Sequence, residues 1–245
     1  MTAVDDAHKI GVELRTQVAQ AGQILHHLGL VDYLGHCSAR VPGTDLVVIK
    51  PKHSPRTRSP EQLGPAEMIV INLDGELVEG VERPPAELFI HTEIYRGRPD
   101  VRAVVHTHQP TASVLGLLDA PLKPLLHVPS VLTNGGRIEK WPVSRLVTTP
   151  ELGRQLVAAL GDSALCHLQG HGIVSVADTM QRATVIAIAL EQLAEANLRV
   201  LQTGLTPRVI SDDELADLGT TVAPVAGRWA YYLQLVEQSA SPRNS

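Results

Sequence analysis

The sequence predicts an α/β protein: a three-layer α/β/α sandwich around a central mixed, largely antiparallel sheet. Three observations predict it. Two long stretches carry apolar residues at helical spacing, several short apolar runs are joined in pairs by turn dipeptides, and proline-led helices fall between those pairs. Helices interleaved with hairpins bury their apolar faces only by layering on a shared sheet.

In chain order, Ile10, Leu14, Val18, Ala21, Leu25 and Leu28 mark a helix from about Asp5 to Leu30, closed by Gly29. Residues 34–41 and Leu46-Val47-Val48-Ile49 form a hairpin through Pro42-Gly43. Residues 51–62, rich in Pro, Lys and Arg, read as a loop or lid. Met68 to Asn72 is a strand, and Asp74-Gly75 turns it into Glu76-Leu77-Val78. Pro84-Pro85 opens a helix from about Ala86 to Arg96, since proline is tolerated where an N–H would be unpaired anyway. A strand ending at His108 follows, a helix begins near Pro110, and Gly135-Gly136 breaks a loop region with short strands around 125–147. Thr149-Pro150-Glu151 starts a helix to about Leu160. Ala164 to Leu168 pairs with Gly172 to Val176 across Gly170-His171-Gly172. Asp178 and Gln181 read as a capping box for a helix from 179 to about 203. Trp229, Tyr231 and Tyr232 mark an amphipathic segment that packs on the body or on a neighbour, with fraying expected over about 239–245.

At 245 residues and 26.4 kDa, with 44% hydrophobic residues, the chain fits one domain spanning 1–245. Net charge is −5 and the cationic residues are scattered, so neither nucleic acid nor an anionic membrane is an expected partner. A 3% aromatic content also removes the stacking platforms of single-strand binders, which leaves a small-molecule substrate. The N-terminal residues lack an apolar h-region, and the longest apolar run, Ala183 to Leu190, is too short to span a bilayer. Cys37 and Cys166 alone make no disulfide framework; they read as small buried hydrophobes in a cytoplasmic protein.

Chemistry concentrates in Val104-Val105-His106-Thr107-His108. Side chains alternate along a strand, so His106 and His108 share a face and can grip one cation. Catalytic sites of the zinc type add a third protein ligand and leave a position open. His171, between two glycines at a turn, supplies a third imidazole. Glu87, at the start of the helix before the His-x-His strand, can project toward it as a fourth ligand or as an acid/base. His91, one turn after Glu87, reads as an orienting group, while His26, His27 and His167 read as structural.

These residues carry a resemblance. Gly35-His36-Cys37-Ser38-Ala39-Arg40, Pro85-Ala86-Glu87 with His91 and Tyr95, Arg98-Pro99-Asp100-Val101, the His-x-His strand, Gln169-Gly170-His171-Gly172 and Glu191 together resemble the class II aldolase and adducin head-domain family. The likeness runs from Gly29 to about Leu201 and includes the fuculose-phosphate-aldolase type. It implies an α/β/α fold, a tetramer with sites at subunit interfaces, and one divalent cation per subunit on His106, His108 and His171, with Glu87 as ligand or catalytic acid/base. Zinc is the first expectation, with manganese, iron or cobalt also suited to that donor set. The implied chemistry is carbon–carbon bond cleavage, the cation spreading the charge of the carbanion left behind. It also allows a C-terminal tyrosine to reach a neighbouring subunit's site.

Departures from the sugar-phosphate pattern point to the substrate. Where those aldolases cradle phosphate with neutral donors, this chain has Gly35-His36, Lys50-Pro51-Lys52-His53 and Pro85-Ala86. Losing several such donors, each worth about 1 kcal/mol, disfavours a phosphate. His36, Ser38, Lys50, His53, Arg56 and Arg58 become the substrate-binding candidates, with the imidazole and cationic groups expected to hold a carboxylate. The Gly-His-x-Ser form resembles that of decarboxylases of hydroxylated aromatic acids, and decarboxylation is the reading favoured. Retro-aldol cleavage, an Fe(II) oxygenase on the same fold and a non-catalytic adducin-like interaction domain remain the alternatives. A cupin is disfavoured because Gln109-Pro110-Thr111-Ala112 supplies no glutamate after the second histidine.

Overall fold

The computed structural model describes residues 3–118, 120–221 and 225–240. Helix α1 (Ala3–His27) leads into β1 (His36–Arg40), β2 (Leu46–Ile49), β3 (Ile69–Asn72) and β4 (Leu77–Glu79). Helix α2 (Leu88–Gly97) crosses to β5 (Ala103–Thr107), followed by the short helices α3 (Pro110–Leu115) and α4 (His127–Leu132) and by β6 (Glu139–Trp141). Helix α5 (Pro150–Leu160), β7 (Leu165–Leu168), β8 (Gly172–Ala177) and the long α6 (Met180–Thr203) come next, and α7 (Asp212–Thr221) and α8 (Val225–Ala240) close the chain. The eight strands form one sheet in the order β4-β3-β2-β1-β5-β8-β7-β6. Neighbours are antiparallel except β6 and β7, so the sheet is mixed and largely antiparallel as expected.

Strand parity divides the core in two. Val47, Ile49, Ile69, Ile71, Val104, Val174 and Val176 face α2 and α5, whereas Ala39, Val48, Val70, Val105, Leu165 and Ile173 face α1, α6 and α8. Each fully buried aliphatic side chain contributes roughly 1.5–3 kcal/mol, enough to hold helices on both faces of the sheet. Cys37 and Cys166 are buried, and desolvation pushes both thiols up to about 12, so they serve as small apolar groups.

Several boundaries differ from the sequence reading, each for a local reason. Residues 127–132 are helical and only 139–141 form a strand, because β6 pairs at the sheet edge for three residues alone. Thr179, not Asp178, caps α6: its Oγ1 accepts the Arg182 N–H at 3.3 Å. The first helix ends at His27, and α2 begins at Leu88, one residue after Glu87. Helix α7 has no counterpart in the sequence reading and carries no buried residue. At the C-terminus Trp229 and Tyr232 are buried against the body while Tyr231 is exposed; residues 239 and 240 are helical, and 241–245 lie outside the described residues.

Two glycines let the backbone close on the centre of the sheet. Gly35 adopts φ +79, and a Cβ there would meet Val31 Cγ1 at 2.7 Å. At Gly172, the first residue of β8, a Cβ would fall 2.2 Å from the Thr107 carbonyl and 3.0 Å from the His108 ring. Gly172→Ala therefore forces β5 and β8 apart. The expected result is a loss of about 1–3 kcal/mol in urea unfolding, seen as a lower midpoint with an unchanged slope.

Candidate metal centre

The site grows from the register of β1, β5 and β8. His36 stands directly opposite His106 across the β1–β5 ladder, and Val174 stands opposite His106 on the other side. Ser38, two residues along from His36, shares its face, which is the face covered by α2. His108 lies just past the end of β5, His171 sits in the turn between β7 and β8, and Glu87 immediately precedes α2. Elements distant in sequence thus deliver Glu87, His106, His108 and His171 with one ligand atom each, all within 4.8 Å of one another.

Each group is oriented by a partner outside the cluster. His106 Nδ1 lies 2.9 Å from the Ile173 carbonyl; that acceptor requires a proton on Nδ1 and leaves Nε2 as a lone pair toward His108 Nε2, 3.1 Å away. The Val147 N–H donates to Glu87 Oε1 at 2.8 Å, so Oε2 is the oxygen that faces the rings, 3.3 Å from His171 Nε2 and 3.9 Å from His106 Nε2. His108 is held through the three residues C-terminal to it and the start of α3. Gln109 Nε2 donates to the Ala187 carbonyl, and the Glu191 carboxylate accepts the N–H groups of Thr111 and Ala112 at 2.7 and 2.8 Å. Glu191 thereby pins the start of α3 to α6. His106 is fully buried, whereas His108 and His171 are partly exposed, so the cluster has a closed back and an open front.

The electrostatics match a cation receptor. Burial first, then the neighbouring rings of His171 and His108, drive the His106 pKa well below its ordinary value; burial also lowers that of His108. Burial alone would raise the Glu87 carboxyl, but His171 and the Val147 N–H outweigh it and leave the carboxyl lowered. Three imidazoles and a carboxylate are the donor set of a borderline divalent ion. Although His171 Nε2 sits within ion-pair range of Glu87, both nitrogens of its ring are buried without a hydrogen bond. A buried polar atom left unpaired costs about 1–3 kcal/mol, and a cation on Nε2 removes half of that deficit. The residues therefore fit a divalent metal.

Of the remaining candidates His36 alone packs directly on this cluster. The His36 ring centroid is 5.0 Å from that of His106 and 4.8 Å from that of His91. Burial and the adjacent imidazoles hold its pKa well below the ordinary value, which removes the positive charge expected of it in carboxylate binding. Ser38 is fully buried with its hydroxyl on His91 and Tyr95, so it acts through them and not by touching a ligand. His91 stands between His36 and Ser38, its Nε2 on His36 Nδ1 and its Nδ1 on Ser38 Oγ, each at 2.6 Å. Lys50 donates to the carbonyls of Tyr33 and Gly35 at 3.0 and 2.8 Å; its ammonium pins the backbone entering β1. His53 hydrogen-bonds to Thr57 and tilts against Tyr33, Arg58 pairs with Glu67 at 3.4 Å, and Arg56 is exposed. The loop of 51–58 thus lies against the segment leading to His36. Tyr95 and Glu191 were visible only as marks of resemblance, and the Val147 N–H left no trace in sequence because a backbone donor has none.

His91 and His167 are pushed down to about 3 and about 4, in both cases mainly by burial. Both are neutral in the fold, while in the unfolded chain they would bind protons below about pH 6.5. Their contribution to stability is complete above that value and is lost as pH falls toward the folded-state values. Urea midpoints measured from about pH 7.5 to about pH 4 should decline steadily, and His91→Gln should flatten part of that decline.

A family model described as "Class II Aldolase and Adducin N-terminal domain" matches residues 16–198. A 3,4-dihydroxyphthalate decarboxylase of Arthrobacter keyseri is 33% identical over 218 residues, covering 83% of this chain and 85% of that protein. A 5-methylthioribulose-1-phosphate/5-deoxyribulose-1-phosphate aldolase of Rhodospirillum rubrum is 34% identical over 153 residues, covering 62% and 67%. Among solved structures, an aldolase II superfamily protein of Pseudomonas syringae superposes with a TM-score of 0.79 at 22% identity, covering 94% of each chain. The L-fuculose 1-phosphate aldolase of Glaciozyma antarctica gives 0.77 at 20% identity, over 93% of this chain and 90% of that one.

Proposed function

The chain belongs to the class II aldolase and adducin N-terminal domain family, and we propose that within it this protein is a divalent-metal-dependent lyase that decarboxylates a hydroxylated aromatic carboxylic acid. The observation that carries the lyase reading is the convergence of Glu87, His106, His108 and His171 on one point at the mouth of the sheet. The decarboxylase reading draws on extent: similarity to decarboxylases of dihydroxyphthalate spans 83–84% of the chain, against 62–64% for the sugar-phosphate aldolases of Rhodospirillum rubrum, Bacillus thuringiensis and Escherichia coli. It also draws on the missing phosphate cradle, where Pro85-Ala86 and His36 replace neutral donors.

His106, His108 and His171 hold the ion, with Glu87 as the fourth ligand. The bound ion supplies Lewis-acid stabilisation for the negative charge that appears on the substrate when its carbon–carbon bond breaks, worth several kcal/mol. Glu87 completes the chemistry. Because Oε1 is committed to the Val147 N–H, Oε2 is the atom that, once substrate displaces it from the ion, would take the proton of a substrate hydroxyl and return it to the carbon that has lost carbon dioxide, the hydroxyl being reprotonated from solvent. The carboxylate is fixed at one end and free at the other, which spares the transition state the entropy of orienting it. Zinc is the favoured ion. Tyr33, Leu34, Leu117 and Leu146 expose apolar surface beside residues of the site, which supports a homotetramer with sites at its interfaces and leaves room for a neighbour's tyrosine. The two buried free cysteines accord with a cytoplasmic location. Among the described residues no helix is long and apolar enough to cross a membrane.

Retro-aldol cleavage is the second reading, favoured by the 34% identity to the Rhodospirillum rubrum aldolase. Purified protein incubated with hydroxylated aromatic acids, keto acids and sugar phosphates separates the two. Carbon dioxide without aldehyde is the expected product, and aldehyde from a sugar phosphate would favour the second. His106→Ala should release the ion and lower kcat/KM by at least about 10³-fold, since a several kcal/mol stabilisation is lost. Glu87→Gln should lower kcat by about 10²–10⁴-fold while the three imidazoles still retain metal.

A further inference from the structure

Behind the four converging groups runs an unbroken line of hydrogen bonds. His36 Nδ1 lies 2.6 Å from His91 Nε2, His91 Nδ1 lies 2.6 Å from Ser38 Oγ, and Ser38 Oγ lies 2.8 Å from the Tyr95 hydroxyl. The Tyr95 O–H in turn donates to the Ser38 carbonyl at 2.9 Å. That last acceptor sets the direction of the whole line, because a carbonyl can only accept. With its one proton used there, the Tyr95 oxygen accepts from the Ser38 O–H. Ser38 Oγ must then accept from His91 Nδ1–H. His91 is fully buried with no carboxylate among its hydrogen-bond partners, so its ring carries a single N–H and its Nε2 accepts from His36 Nδ1–H.

We propose that this line holds the His36 proton on Nδ1 and that the ring, buried with no carboxylate among its partners, keeps a bare Nε2, a dedicated hydrogen-bond acceptor that reads a hydroxyl on the substrate bound at the neighbouring cluster. Accessibility agrees: His91 and Ser38 are 0% exposed and Tyr95 1%, whereas His36 is 7% exposed, so the line opens outward only at its His36 end. The His36 ring also packs beside His106, which places the reader at the edge of the proposed metal site. A lone pair facing the ligand attracts an O–H and repels a carboxylate or phosphate oxygen, so the position selects a phenolic or enolic hydroxyl next to the group held by the ion. This deepens the decarboxylase reading and rests on it for the location of the substrate. The direction of the line stands independently.

The test has two arms that fail separately. In long-range proton–nitrogen spectra of the wild-type protein, His36 should show a protonated Nδ1 and an unprotonated Nε2. Tyr95→Phe removes the oxygen that accepts from Ser38, freeing the serine proton to turn toward His91. The line can then reverse, and a population with protonated His36 Nε2 should appear. In calorimetric titrations, His36→Ala should weaken 3,4-dihydroxybenzoate about tenfold, the loss of one hydrogen bond, and change benzoate by no more than about twofold. A protonated His36 Nε2 in the wild type, or equal losses for the two probes, would overturn the proposal. Absence of carbon dioxide release with the predicted tautomer and the predicted probe discrimination intact would retire the decarboxylase reading alone.

Discussion

His106 lies at the centre of an eight-stranded sheet with no accessible surface, its Nδ1 on the Ile173 carbonyl and its Nε2 turned toward two more imidazoles and a carboxylate. An imidazole in that position can be kept only as the neutral ring, because charging it without water would cost several kcal/mol. The rest of the site depends on meeting that condition. Ile173 fixes the tautomer, and the inward Nε2 lone pair faces His108 and Glu87, where a cation would satisfy all three at once. The fold contributes rigidity. His36 and Val174 flank His106 in register, and Gly172 allows β8 to approach where any side chain would collide with Thr107. A side chain on a central strand is held more precisely than one on a loop, which makes His106 the fixed point on which the other three groups converge.

The same logic sorts the residues around the cluster into those that meet a ligand and those that hold others in place. Glu191, Gln109 and the Val147 N–H make their hydrogen bonds away from the converging rings, yet they set the positions of His108 and Glu87. Lys50 is a comparable case. Its cation is spent on two backbone carbonyls, which makes it a clamp on the turn that presents His36. His36 differs from Lys50 in that its Nδ1 is engaged by His91 from behind while its ring borders His106.

Much of this was legible in the sequence, and the limits have physical causes. The period of two in Val104 to His108, the turn dipeptides and the proline-led helices were enough for the layers and the largely antiparallel sheet, because hydrophobic alternation is a local signal. The four converging groups were legible for the same reason: His-x-His needs only strand parity, and His171 and Glu87 stand at element ends. Residues 125–147 were not, since β6 forms through a parallel partner distant in sequence while α4 carries no strong periodicity. The charge state of His36 was also beyond reach. Its neutrality comes from desolvation and from a line of partners drawn from β1 and α2, which no spacing in the sequence records.

The central claim is that one divalent ion occupies the point where Glu87, His106, His108 and His171 converge. Anomalous scattering from crystals of the protein loaded with zinc tests it most directly. A single strong peak per chain is predicted, about 2.0–2.2 Å from an imidazole nitrogen of each histidine and from a Glu87 oxygen. A peak elsewhere, or none at this point under loading that fills other sites, would contradict it.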